Sequence, residues 1–192
     1  IGDSRVLFNS YIFILFFLPM TIAVYYGLNK AEKCEAAKAF LVTASLFFFG
    51  YFQPSYILII VGSIIFNYLC SGFLLREKWK TPIRKLILLA GILLNVGLIG
   101  YFKYLDFLLE NINYLFHSNL LLQNILMPLG ISFFTFQQIS YLVDSYKQET
   151  KNYSFLDYAL YITFFPQLVA GPIVLHDEML PQFADKEAKQ WN

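Results

Sequence analysis

The densest group of chemically capable side chains lies in residues 129–144, LGISFFTFQQISYLVD, where Ser132, Thr135, Gln137, Gln138, Ser140, Tyr141 and Asp144 punctuate a stretch apolar enough for a membrane. Wound as a helix of 3.6 residues per turn, Gly130, Phe133, Gln137, Ser140, Tyr141 and Asp144 share one broad face, while Phe134, Phe136 and Gln138 point elsewhere. In hydrocarbon a polar group costs free energy unless it meets another, so this face must look into a bundle interior or a solvated passage. Two readings stay open. An intramembrane carboxylate favours a functional cavity, and hydroxyl and amide side chains also serve as fastenings between helices. The candidate lining residues are Gln137, Ser140, Tyr141 and Asp144, joined by Gln167 at a second broken stretch, with His176 at a possible vestibule. No residue is assigned a catalytic role and no metal site is expected. His117 reads as a hydrated loop residue.

What must position these groups is set by composition. The chain is 58% hydrophobic and 14% charged, with 21 Phe and 14 Tyr, against roughly 45–50% and about 25% in soluble proteins. This is the composition of an all-α, polytopic transmembrane helical bundle with short and broken helices. Fourteen basic and thirteen acidic residues leave a net charge of +1, so nothing argues for nucleic acid, and the expected surroundings are the lipid bilayer. The two cysteines, Cys34 and Cys70, have neither metal-ligand spacing nor disulfide density and read as free thiols.

Spanning segments are expected at about 6–28, 39–52, 56–75, 83–101, 125–145 and 155–175, within a single transmembrane region covering 1–192. The second is too short to cross upright and is expected to dip or tilt. Pro19 should kink the first, and Gln53 with Pro54 marks a turn. Lys30 to Lys38 reads as a charged connection. Gly62, Ser63, Asn67 and Ser71, and then Gly91, Asn95, Gly97 and Gly100, are placed for close helix contact. Lys103 and Asp106 are expected to close the fourth span, followed by an interfacial helix over about 105–116. The last stretch is interrupted at Phe164, Phe165, Pro166 and Gln167 and again at Gly171 and Pro172, where freed backbone groups need protein or water as partners. Residues 76–85 carry Arg76, Lys78, Lys80, Arg84 and Lys85 against Glu77 alone, which places that loop on the cytoplasmic side and the amino terminus outside.

Five strings carry a resemblance: VLFNSYIFILFFLPM at 6–20, GYFKYLDF at 100–107, MPLGISFFTFQQISYLVDSY at 127–146, FFPQLVAGPI at 164–173 and GPIVLHDEMLPQF at 171–183. Together they resemble the membrane-bound O-acyltransferase family, in its bacterial branch of alginate O-acetylation proteins. The likeness implies a funnel-shaped enzyme in the bacterial inner membrane. It would move an acyl group, acetyl-CoA or another acyl thioester being the donor, to a hydroxyl of an extracytoplasmic polysaccharide, with no bound cofactor. A histidine base and dipoles at the thioester carbonyl would carry the reaction.

The family's catalytic histidine, and a second histidine motif rich in Trp and Arg, lie beyond the matched region, and His176 does not occupy either. The 192 residues, beginning at Ile1 rather than Met, are therefore expected to form the amino-terminal half of that fold. Alone they should be inactive, requiring the carboxy-terminal half and, in the cell, polysaccharide export and acetylation proteins. D-alanyl transfer to a teichoic acid-type polymer, and a non-enzymatic transporter or scaffold subunit, are the rival readings.

Overall fold

The structure, a computed structural model, describes residues 11–52, 54–76, 78–128, 130–170 and 174–184. Every regular element among them is helical. A π-helical turn, Phe13–Phe17, leads into α1, Leu18–Lys30, and then come α2, Cys34–Phe52, a 3-10 turn, Pro54–Tyr56, and α3, Ile57–Leu74. α4, Thr81–Ile99, runs through a second π turn, Gly100–Tyr104, into α5, Leu105–Phe116, and is followed by α6, Ile131–Lys147, α7, Phe155–Thr163, α8, Phe165–Ala170, and α9, His176–Ala184. Among the described residues four stretches are long and apolar enough to cross a membrane: Phe13–Lys30, Cys34–Tyr51, Pro54–Leu74 and Thr81–Phe116.

Several sequence expectations are corrected. The segment expected over 39–52 is the 19-residue α2, because the helix starts at Cys34 inside the charged run. Lys38 faces inward there and finds an acid, so charge did not end the helix. The span expected at 83–101 and the interfacial helix at 105–116 are one continuous helical stretch of 36 residues. At 1.5 Å per residue that is about 54 Å, against a hydrocarbon core of about 30 Å. Lys103 and Asp106 do not close it, because each spends its polarity sideways, on Ser132 and on a loop. The segment expected at 125–145 starts as helix only at Ile131, after Gly130 at φ 71°. Over 155–170 the chain is not one helix: α7 and α8 have nine and six residues, with a break at Phe164, where ψ is 100°. The breaks expected at Gly171 and Pro172, like Gln53, lie outside the described residues. At Pro19 the missing amide leaves a carbonyl one turn back without its usual donor, and the chain before it is wound as the π turn.

The chain divides into two compact units, Ile1–Val61 with Tyr153–Asn192, and Gly62–Asn152; their boundary falls within α3. The first unit packs α1 on α2 and α2 on α7. Its centre is a group of rings, Phe13, Phe17, Phe48 and Phe165, with centroids 5.3 to 5.9 Å apart. The break after α7 frees the amide of Phe165, which donates to Ser45 Oγ at 3.4 Å. Protein therefore meets the backbone need that the interruption creates.

The second unit packs α4 on α6. At Gly91 an added Cβ would come within 2.6 Å of Leu142 Cδ1, so the absent side chain is what lets α6 lie close. Because the obstacle is the tip of a flexible side chain, Gly91→Ala should cost only about 1 kcal/mol in unfolding free energy, read in mixed detergent micelles. Cys70, Leu74 and Leu142 form the apolar centre, with Phe66, Ile87, Leu88 and Tyr146 around it.

α5 holds the non-helical segment after it by side-chain bonds. Asn113 accepts from Leu120 N and donates to Leu120 O, both at 2.8 Å. Asp106 accepts from Gln123 N and Ile125 N at 2.8 and 3.0 Å. These are charge-assisted bonds, so Asp106→Ala should speed hydrogen exchange at the Gln123 and Ile125 amides about tenfold while leaving α4 protected. Unchanged exchange at both amides would refute the clamp.

Candidate functional site

Three helices of the second unit bring four fully buried polar side chains together: Ser63 and Asn67 from α3, Asn95 from α4 and Gln138 from α6. Two backbone carbonyls fix the direction of every amide. Gly91 O can only accept, and Asn95 Nδ2 donates to it at 2.8 Å and to Asn67 Oδ1 at 2.6 Å. Asn67 Nδ2 is thereby turned to the Ser63 carbonyl, at 2.9 Å, and to Gln138 Oε1, at 2.7 Å. Ser63 Oγ also donates to Gln138 Oε1, at 2.7 Å. Gln138 Nε2 is left facing away, without a hydrogen-bond partner among the described residues. The cluster contains no base that could activate the Ser63 hydroxyl, so its chemistry is fastening: interhelical hydrogen bonds in membranes contribute about 0.6 kcal/mol each, up to about 1.7.

Of the residues expected to line a passage, Gln137 and Tyr141 are buried within the second unit, and Ser140 and Asp144 are half-buried. Gln137 Oε1 has no hydrogen-bond partner among the described residues. Ser140 Oγ donates to Asp144 Oδ2 at 3.5 Å, and Tyr141 Oη to the Lys151 carbonyl at 3.4 Å. Gln138, which the helical-wheel reading sent to another face, is the α6 side chain that joins the cluster. A signal for it existed: Asn67 and Asn95 each stand well inside an apolar helix and require partners.

Gln167 and His176 come together in the first unit. Gln167 Nε2 and Tyr161 Oη both donate to the carbonyl of Val174, at 3.3 and 3.4 Å, two residues before His176. The imidazole is buried, with the rings of Tyr153 and Tyr161 about 6 Å away by centroid, 6.2 and 6.3 Å, and Asp177 Oδ1 is 3.9 Å from Nδ1. Burial, with Asp177 and Asp157 nearby, pushes the Tyr153 phenol above its ordinary range, so it stays a donor. On the same unit Lys38 Nζ pairs with Asp157 Oδ1 at 2.7 Å, and Ser154 caps α7 by accepting from Asp157 N and donating to Asp157 Oδ2. Burial alone would raise the Asp157 carboxyl, but hydrogen bonds from Lys38 and Ser154 outweigh it and hold the group below the usual carboxylate range.

Comparison with known proteins adds what the geometry alone does not. A "Peptidoglycan O-acetyltransferase" of Helicobacter pylori is 41% identical, over 97% of this chain and 40% of its own length. A "Probable alginate O-acetylase AlgI" of Pseudomonas aeruginosa is 30% identical, over 92% of this chain and 34% of its own, and one of Pseudomonas syringae is 28% identical, over 93% and 35%. Over nearly its whole length the chain is similar to these O-acetylation proteins, in line with its resemblance to the membrane-bound O-acyltransferase family. No family model and no solved structure matches it. It spans about two fifths or less of the length of the relatives it matches. Of the strings that resemble the family, GYFKYLDF covers the second π turn and the start of α5, and MPLGISFFTFQQISYLVDSY covers α6. The family likeness and the amide cluster thus meet on one helix.

Proposed function

We propose that this chain is part of an O-acyltransferase that carries an acetyl group from a thioester, acetyl-CoA or a derivative of it, to a hydroxyl of a cell-envelope glycan. The observation that carries the reading is the 41% identity to a peptidoglycan O-acetyltransferase across nearly the whole chain. That figure, against 30% for the alginate protein, favours peptidoglycan as the acceptor over alginate. The chain's own contribution is a scaffold: the cluster on α3, α4 and α6 sets the helices, and Gln137, Ser140, Tyr141, Asp144, Gln167 and His176 are the groups offered to a passage completed by further sequence. No residue here is assigned the base, so the chain by itself is inactive in this reading. Polysaccharide export and acetylation proteins are its partners.

The basic loop at 76–85 supports a topology with the α3–α4 connection in the cytoplasm of a bacterial inner membrane and the amino terminus outside. The test is transfer. Membranes holding the full-length protein, given acetyl-CoA labelled in the acetyl group, should release labelled acetate from purified glycan after mild base. Labelled glycan absent with every acyl thioester offered would sink the reading.

A further inference from the structure

The end of the second unit where α3 stops, α4 starts and α6 stops is built around cations. Gln148 Nε2 donates to the carbonyl of Leu74, at 2.8 Å, and Arg84 donates to the carbonyl of Tyr146 with its guanidinium 5.1 Å from that ring's centre, so the three helix ends converge. Residues 76–85 hold five basic side chains and one acid. Arg76, Lys78, Lys80 and Lys85 are exposed, and among the described residues no carboxylate lies within ion-pair distance of them. Arg76 stands over the Phe73 ring, centroid distance 5.6 Å, and Phe73 packs edge-on against Trp79 at 6.1 Å; both rings are partly exposed. Directly behind this rim α3 and α4 are apolar enough to cross a bilayer.

We propose that this rim, formed by Arg76, Lys78, Lys80 and Lys85 around Trp79, is a docking surface for the phosphates of anionic phospholipids. Charge complementarity and position decide for lipid. Exposed cations on flexible stems sit where the apolar helix surface ends, which is the level of the headgroups. The stacked Phe73 and Trp79 have the amphipathic character of interfacial residues. Arg84, already held by Tyr146, keeps the helix ends together while the outer four meet phosphate. The inference does not depend on acyl transfer.

The test reads Trp79 fluorescence in the full-length protein, taken as the difference between the native form and Trp79→Phe, in vesicles of brominated phosphatidylglycerol or brominated phosphatidylcholine. The expected result is a preference for phosphatidylglycerol at Trp79 of about fivefold or more at low salt. It should fall to about onefold in molar sodium chloride and in the variant Arg76→Gln, Lys78→Gln, Lys80→Gln, Lys85→Gln, whose substitutions are all at exposed positions. Circular dichroism of that variant should match the native protein. Equal quenching by both lipids in the native protein would overturn the proposal, as would a preference that survives in the fourfold variant. Loss of the preference on adding millimolar inorganic phosphate at constant ionic strength would overturn it too, assigning the rim to a free phosphate.

Discussion

Replacing Asn67 by leucine should destabilise the second unit by about 2 kcal/mol, a large part of a helix-bundle's net stability. The substitution keeps the volume but removes a side chain that serves both neighbouring helices. Asn67 donates to Gln138 Oε1 on α6 and accepts from Asn95 Nδ2 on α4. Each survivor keeps one bond, Gln138 with Ser63 and Asn95 with the Gly91 carbonyl. That retention sets the cost below that of wholly orphaned groups. Adding Gln138→Leu should cost about 1 kcal/mol less than the sum of the single changes, because two apolar partners leave no polar group to strand between them. The measurement is the unfolding midpoint against the mole fraction of dodecyl sulfate in mild detergent. Strict additivity, or a loss under about 0.5 kcal/mol, would show that the cluster is not a fastening.

The second large effect is expected at Lys38. Its ammonium and the Asp157 carboxylate are 12% and 21% exposed as side chains, so Lys38→Met leaves a largely enclosed anion with Ser154 as its remaining side-chain partner. A fully buried pair broken on one side costs about 3–5 kcal/mol; partial exposure lowers the expectation here to about 2. The double variant Lys38→Met, Asp157→Leu should recover most of that loss.

The acid dependence has a definite sign. The Asp157 carboxyl is held below its ordinary value in the fold. The stability it contributes is therefore present in full above the unfolded value, about 4, and is lost as pH falls through the lower folded value. The stability gap between native and Lys38→Met should be flat from about pH 8 to 5 and narrow below about pH 4. A gap that widened on acidification would contradict the pairing.

The helical class, the contact positions Ser63, Asn67, Gly91 and Asn95, and the break at Phe164 were legible in the sequence, because each rests on a local property: hydropathy, small or amide side chains in an apolar run, a proline after paired rings. Gly62, Gly97 and Gly100 looked equivalent but meet nothing within 4 Å of a Cβ. A glycine permits approach without requiring it. Gln138 was missed because a wheel orders side chains around an axis without saying which arc the neighbours occupy. The bounds of α2 and of the long α4–α5 helix failed for a different reason. Charge was read as an end signal, whereas Lys38, Lys103 and Asp106 are each satisfied from within a helix by a side chain or amide distant in sequence.

The wide turn at Gly100–Tyr104 carries one more residue than the same arc of regular helix would. It works as a slack link between the rod before it and the rod after it. Taking out one residue there would let the coil tighten to ordinary pitch, leaving the bonds of Asn95 on one side and of Asn113 on the other in place. The same deletion within α4 would turn everything beyond it by about 100° and tear those pairings apart. Loss of a single residue along this 36-residue rod without a change of register is thus accommodated, by geometry, at these five positions.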